Sequence, residues 1–310
     1  MMKNIKGSLI LLIAALIWGT AFVAQTSGSE VVPPFTFNAS RSFIGALFLF
    51  FCSKLLFIGK NKSVRSDGVN SMADDSSSGW PIKGGILCGL VLFFAMGFQQ
   101  FGIGLYPEGV AVSGRSGFLT ATYVVMVALY SQIVAKKISP LIIVSVTGVV
   151  IGMYLLCMSA GFSEIYVGDV LEFMCAICFT LHILVIDKFS VCDSVKLSCI
   201  QFLTCGIMSF AVAVISETIV PEDILNAIGP IMFAGVMSSG VAYTLQMVGQ
   251  KYAKPAVASI VMSLESVFSV LAGWIILNER LTSRELTGCI IVFAAVIISQ
   301  ISCGFDETEK

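Results

Sequence analysis

One carboxylate stands inside a membrane-length apolar run: Glu265, within the stretch from Ser259 to Leu281, with Glu279 just past its last apolar residues. A bilayer core takes roughly 20 apolar residues of helix, and an ionised side chain within it costs at least ~2.5–3.5 kcal/mol. Glu265 is therefore expected to have a partner or a task. Arg41, Arg115 and Glu172 also lie within apolar runs. At ~1.5 Å of rise per residue, Glu265 falls roughly 14 Å from one face of a ~30 Å core, near its midplane, and Thr122 reaches a similar level. Arg41, Arg115 and Glu172 each fall roughly 8 Å below the opposite face.

Two guanidiniums against two carboxylates permit two chemistries. In one, each Arg pairs with an acid and holds helices together. In the other, Arg115 attracts an anionic group on a solute, since guanidinium matches carboxylate bidentately, and Glu265 receives an ammonium group or a proton. Neutral polar residues within the runs (Asn38, Gln99, Gln100, Thr120, Thr122, Gln201, Thr244, Gln246) suit a cavity wall or interhelical hydrogen bonds. Trp18 and Tyr123 lie deeper in their runs than the other aromatics. The substrate-binding candidates are Glu265, Arg115, Thr122, Tyr123, Trp18, Gln100, Gln246 and Arg41, with no catalytic or metal-binding residue and no cofactor. The lone histidine, His182, could share a helix face with Cys175 and Cys178. A metal site there lacks a fourth ligand, and His182 falls far from Glu265 along the axis.

The elements that position these residues are helices. Hydrophobic residues make up 57% of the 310 and charged residues only 12%, about half the charged share of a soluble protein. Spanning-length runs recur throughout, giving helices at about 7–26, 36–58, 82–105, 110–132, 138–159, 167–187, 195–216, 227–249, 256–277 and 284–303. The run after Lys6 resembles a signal peptide but is long for one and lacks a cleavage site, so it is read as the first span. Residues 60–79 form a polar, Ser/Gly-rich linker expected to be disordered. The cysteines in apolar runs read as small reduced hydrophobes. No basic stripe suggests nucleic acid, and no P-loop supplies an ATPase.

With the N-terminus cytoplasmic, Lys3, Lys6, Lys54, Lys60, Lys62, Arg65, Lys83, Lys136, Lys137, Lys188, Lys196, Lys251, Lys254 and Lys310 fall on the cytoplasmic side, and only Arg280 and Arg284 fall outside. That split obeys the positive-inside rule. It places both termini in the cytoplasm.

The halves repeat weakly. Ala135-Lys-Lys-Ile-Ser aligns with Asn278-Glu-Arg-Leu-Thr, which sets Thr122 opposite Glu265, Gln100 opposite Gln246 and Trp18 opposite Phe179. Five spans per half is odd, so the second half must insert upside-down, the architecture of many secondary transporters. The expectation is an all-α polytopic membrane protein of ten transmembrane helices, two inverted five-helix repeats at 1–159 and 160–310.

Leu264-Glu265-Ser266-Val267-Phe268, Gly273-Trp274, Glu279-Arg280-Leu281 and Gly288 resemble the second-repeat signature of the EamA-type drug/metabolite transporter family; Ser266 stands where that family usually has Pro. Leu16-Ile17-Trp18-Gly19-Thr20-Ala21-Phe22 is similar to its first-helix motif, and Ser113 to Val125 to its fourth-helix motif, with a basic residue at Arg115. The resemblance covers the chain apart from 60–79. It implies ten helices, an aqueous cavity and movement of small metabolites such as amino acids, often outward, across the plasma membrane. The expected function is thus a secondary active transporter, a non-enzyme, whose partners are a small solute, the lipid bilayer and protons, with oligomeric state left open. An intramembrane enzyme and a channel are the alternatives. The enzyme lacks a clustered nucleophile and base, and the channel lacks a filter motif.

Overall fold

The computed structural model describes residues 2–67, 80–134, 136, 138–157, 165–189, 192–250, 252 and 261–308. Its elements are helices: α1 (Met2–Ser29), α2 (Pro34–Asp67), α3 (Ile82–Gly104), α4 (Val112–Ala121), α5 (Tyr123–Val134), α6 (Pro140–Cys157), α7 (Val167–Lys188), α8 (Ser194–Ser216), α9 (Pro221–Asn226) and α10 (Ile228–Met232), then a π-helix (Phe233–Ala242), α11 (Tyr243–Gln250), α12 (Glu265–Ile276) and α13 (Ser283–Thr308). Seven helical stretches among the described residues are long and apolar enough to cross a membrane; Pro140–Leu156 and Glu265–Ile276 are apolar but shorter. Large apolar side chains such as Leu55, Val150, Ile215 and Ile275 face outward. In water that surface would be a liability; against acyl chains it is the expected exterior. The chain is a multi-pass membrane protein.

Several expected elements differ from those observed. Helix α2 runs on to Asp67, so the first part of the expected 60–79 linker is helical, and 68–79 lies outside the described residues. Lys and Arg are good helix formers, which Lys60, Lys62 and Arg65 supply. The expected 110–132 span breaks at Thr122 into α4 and α5. The expected 256–277 span is continuous only from Glu265, after a turn at Ser263 and Leu264; its residues 256–260 lie outside the described set, as do Lys137, Lys251, Lys254 and Lys310 of the charge pattern. Here Ser266 does not straighten the helix. Its hydroxyl and amide both go to the Ser263 carbonyl, a local bond that competes with the helical ladder.

Helices α5 and α12 are built alike. Each has 12 residues, and each is followed two residues on by a left-handed residue, Lys136 at φ 54° and Asn278 at φ 56°. This register sets Tyr123, not Thr122, against Glu265. The alignment through Ala135 and Asn278 differs from this by one residue because the turn before α13 is longer than the turn before α6.

The main helix pairs are α2 with α8, α6 with α13, α3 with α7, α4 with α12, and α1 with both α12 and the π-helix. The α6–α13 contact depends on glycine. A Cβ on Gly152 would stand 2.9 Å from the Gly288 carbonyl oxygen, and one on Gly288 would stand 2.7 Å from that of Gly152. Gly288→Val is therefore expected to destabilise the detergent-purified protein by about 1–3 kcal/mol through overpacking, read as a lower thermal midpoint. An unchanged midpoint would mean these helices are not held so closely. Phe118, Leu119, Val149, Leu156 and Val292 fill the core at this contact. A second core, with Leu49, Leu92, Met96 and Phe202, sits between α2, α3 and α8.

Candidate functional site

The broken helices converge on one cavity. It has a volume of about 110 Å³, and its wall includes Trp18, Gln25, Arg41, Gln99, Thr120, Tyr123, Phe179, His182, Ser239, Tyr243, Gln246 and Glu265. The wall residues come from α1, α2, α3, α4, α5, α7, α8, the π-helix, α11 and α12, whereas α6 and α13 pack to one side.

Glu265 opens α12, and its residue is only 6% exposed. A carboxylate in the first turn lies at the positive end of the helix dipole, so the break that frees this helix start also favours the charge. The Tyr123 hydroxyl lies beside the Glu265 carboxylate. Trp18 meets the Tyr243 ring edge-on, with centroids 5.2 Å apart.

Arg41 holds the other ionised position in the wall. Its Nη1 donates to Gln25 Oε1 at 2.8 Å, its guanidinium lies 5.7 Å from the Phe37 ring centre, and its Nε and Nη2 have no hydrogen-bond partner. Among the described residues no carboxylate lies within ion-pair distance of it. The pairing of Arg41 with an in-span acid, one of the two sequence expectations, is therefore not what the structure has: Arg41 meets an amide and Glu172 meets a hydroxyl.

The π-helix explains a part of the wall that sequence reasoning missed. Ser239 donates to the Ala234 carbonyl five residues back, at 3.0 Å. Gly235 lies against the Arg41 carbonyl of α2. Widened turns of this kind cluster at functional sites. Here the turn puts Ser238, Ser239 and Tyr243 on the cavity. Gln25 was also missed. A polar residue near the end of an apolar run was the only signal for it.

Of the candidates named from sequence, Glu265, Tyr123, Trp18, Gln246 and Arg41 share this cavity; Arg115, Thr122 and Gln100 do not line it. The Thr122 hydroxyl donates to the Leu119 carbonyl at 2.6 Å, inside the helix break. Gln100 is fully buried and donates to the Gln25 carbonyl at 3.0 Å. His182 was placed far from Glu265 by helix depth, yet it lines the same cavity, with Nε2 3.2 Å from Gln201 Oε1.

Arg115 belongs to a cluster at one end of the bundle. Its Nε and Nη2 meet the two oxygens of Asp169 at 2.6 and 2.7 Å, and Nη1 reaches Glu285 at 3.3 Å. Asp169 also accepts from the Tyr106 hydroxyl at 2.9 Å and the Tyr166 amide at 3.0 Å. Close by, Glu279 accepts from the Ser113 and Gly114 amides at the start of α4. Burial pushes the Glu279 carboxyl above its ordinary range, while those amides hold it down. Together the cluster ties α4, α7 and α13 across that end.

A multi-pass helical bundle with broken helices around a cavity that carries an acid and a base has the form of a membrane transporter. The comparisons agree. The chain matches the EamA-like transporter family over residues 5–158 and 166–300, and it belongs to that family. It is 29% identical to an uncharacterized transporter of Archaeoglobus fulgidus over 96% of this chain and 86% of that protein. It is 21% identical to the uncharacterized transporter YoaV of Bacillus subtilis, covering 95% and 97%. A crystal structure 18% identical to it shares the fold at a TM-score of 0.61, covering 96% of this chain and 98% of that one.

Proposed function

We propose that this protein is a secondary active transporter that exports small zwitterionic metabolites such as amino acids across the plasma membrane. The observation that carries the reading is an acid and a base, Glu265 and Arg41, in the wall of one cavity at a helix break. Glu265 receives the ammonium group of the solute. Arg41 receives the carboxylate, the role that sequence alone gave to Arg115. Trp18, Tyr123 and Tyr243 supply apolar faces for the side chain, and Gln246 a polar edge.

The mechanism is alternating access between two oppositely inserted five-helix halves, 1–159 and 160–310. Self-paired contacts support the symmetry: α2–α8, α4–α12 and α6–α13 each join corresponding helices of the two halves. The likeness of α5 to α12 supports it as well. The charge pattern supports an orientation with both termini in the cytoplasm and the Arg115 cluster outside. In this arrangement the outer end is shut, and outward release requires the Arg115–Asp169 contact to part.

A thermal-shift screen of the purified protein against the common amino acids tests the reading, because a solute that binds only the folded state raises the midpoint. A charged hydrogen bond is worth about 1.5–3 kcal/mol, or roughly 10- to 150-fold in affinity. Arg41→Gln is expected to raise Kd for the best amino acid by that factor, and to leave Kd for its amide nearly unchanged. Equal losses for acid and amide would remove Arg41 from the carboxylate role.

A further inference from the structure

Asp169 and Glu172 stand three residues apart on α7, so they share one face of that helix, yet they are treated in opposite ways. Asp169 accepts two guanidinium N–H groups, a phenol hydroxyl and a backbone amide. Glu172 is fully buried and accepts the Thr120 hydroxyl at Oε2 at 2.9 Å, with the Ser116 hydroxyl nearby. Its Oε1 has no partner, and among the described residues no cation lies within ion-pair distance of it. The first site is built for a charge. The second is not, because an uncompensated buried carboxylate is far costlier than the neutral acid.

The other groups around Glu172 do not change this balance. On its own helix are Asp169, already paired, and the Cys175 thiol. From α4 come Thr120 and Ser116, while Arg115 is engaged by Asp169 and Glu285. Beyond α3, Tyr106 gives its hydroxyl to Asp169. Arg41 donates to Gln25 and lies over the Phe37 ring, and it makes no ion pair with Glu172.

Thr120 connects this acid to the cavity. Thr120 lines the cavity, and its hydroxyl donates to Glu172 and accepts from Gln99 Nε2 at 3.3 Å. We propose that Glu172 is a proton-carrying site, loaded from and unloaded to the cavity through the Thr120 hydroxyl. In loading, a cavity hydronium gives its proton to Thr120 Oγ1 as the Thr120 O–H proton passes to Glu172 Oε2. The carboxylate becomes the acid, and the hydronium becomes water. Unloading is the reverse. Glu265 is then left to the solute, and a carrier with this layout can move a proton and a solute at separate sites. The coupling part of this inference rests on the carrier reading; the proton site itself does not.

Infrared difference spectroscopy of the detergent-purified protein tests the site without any solute. The wild type minus Glu172→Gln spectrum at neutral pH is expected to contain a carboxylic-acid C=O band that downshifts in D₂O. A difference in carboxylate bands instead would overturn the proposal. Thr120→Val provides a second reading should Glu172→Gln fail to fold. The acid band is expected to shift as its O–H loses the Thr120 oxygen, and its D₂O shift to slow at least tenfold. An unmoved band would show that Thr120 does not touch the acid, and an unchanged exchange rate would rule out the route. An acid band in a protein that shows no solute counterflow would sink the carrier reading and leave this site standing.

Discussion

Glu265→Gln is expected to weaken binding of the best amino acid by roughly 10- to 150-fold, the worth of a charge-assisted hydrogen bond of about 1.5–3 kcal/mol. The substitution keeps the shape of the side chain and removes only the charge. It leaves Tyr123 and the start of α12 in place. The thermal midpoint without solute is expected to stay the same or rise, since a buried acid without a cation partner has been removed. Glu265→Asp keeps the charge on a shorter side chain and is expected to lose less affinity than Gln. Isothermal titration reads both. Full affinity in the Gln variant, with normal folding, would mean that the carboxylate does not meet the solute.

Arg115→Gln is expected to cost the folded protein about 3–5 kcal/mol, the usual penalty when one member of a buried ion pair is removed and the other charge is left behind. Arg115 and Asp169 are each about 4% exposed and meet through two N–H···O contacts. The double variant Arg115→Gln with Asp169→Asn removes both charges and is expected to recover most of the loss. Thermal unfolding of the three proteins reads this directly. A double variant as unstable as the single would show that the cluster is not an ion pair in energetic terms.

The helical character and the membrane setting were legible because both depend on composition and run length, which the sequence states directly. Glu265 was legible for the same reason: a charge inside an apolar run is costly wherever the run folds. Arg115 was equally visible, but its partner was not. Asp169 lies at the start of α7, where an acid reads as an ordinary helix-start residue, and nothing local says that Arg115 reaches across to it. Depth along a helix axis did not show that His182 lines the same cavity as Glu265, because axial position does not fix which way a side chain points or how a helix tilts. The π-helix left no periodic signature, so nothing in the sequence singled out Ser239 or Tyr243 for the cavity wall. The one-residue difference that set Thr122 against Glu265 came from aligning across turns of unequal length.

Solute counterflow in proteoliposomes tests the central claim most directly. Vesicles are preloaded with the unlabelled amino acid that gives the largest thermal shift, and a trace of labelled amino acid is added outside. The expected result is a saturable transient overshoot of label that disappears with Glu265→Gln. Uptake linear in concentration and indifferent to the preloaded solute would contradict the account, because a pore fills at one rate whatever lies on its far side.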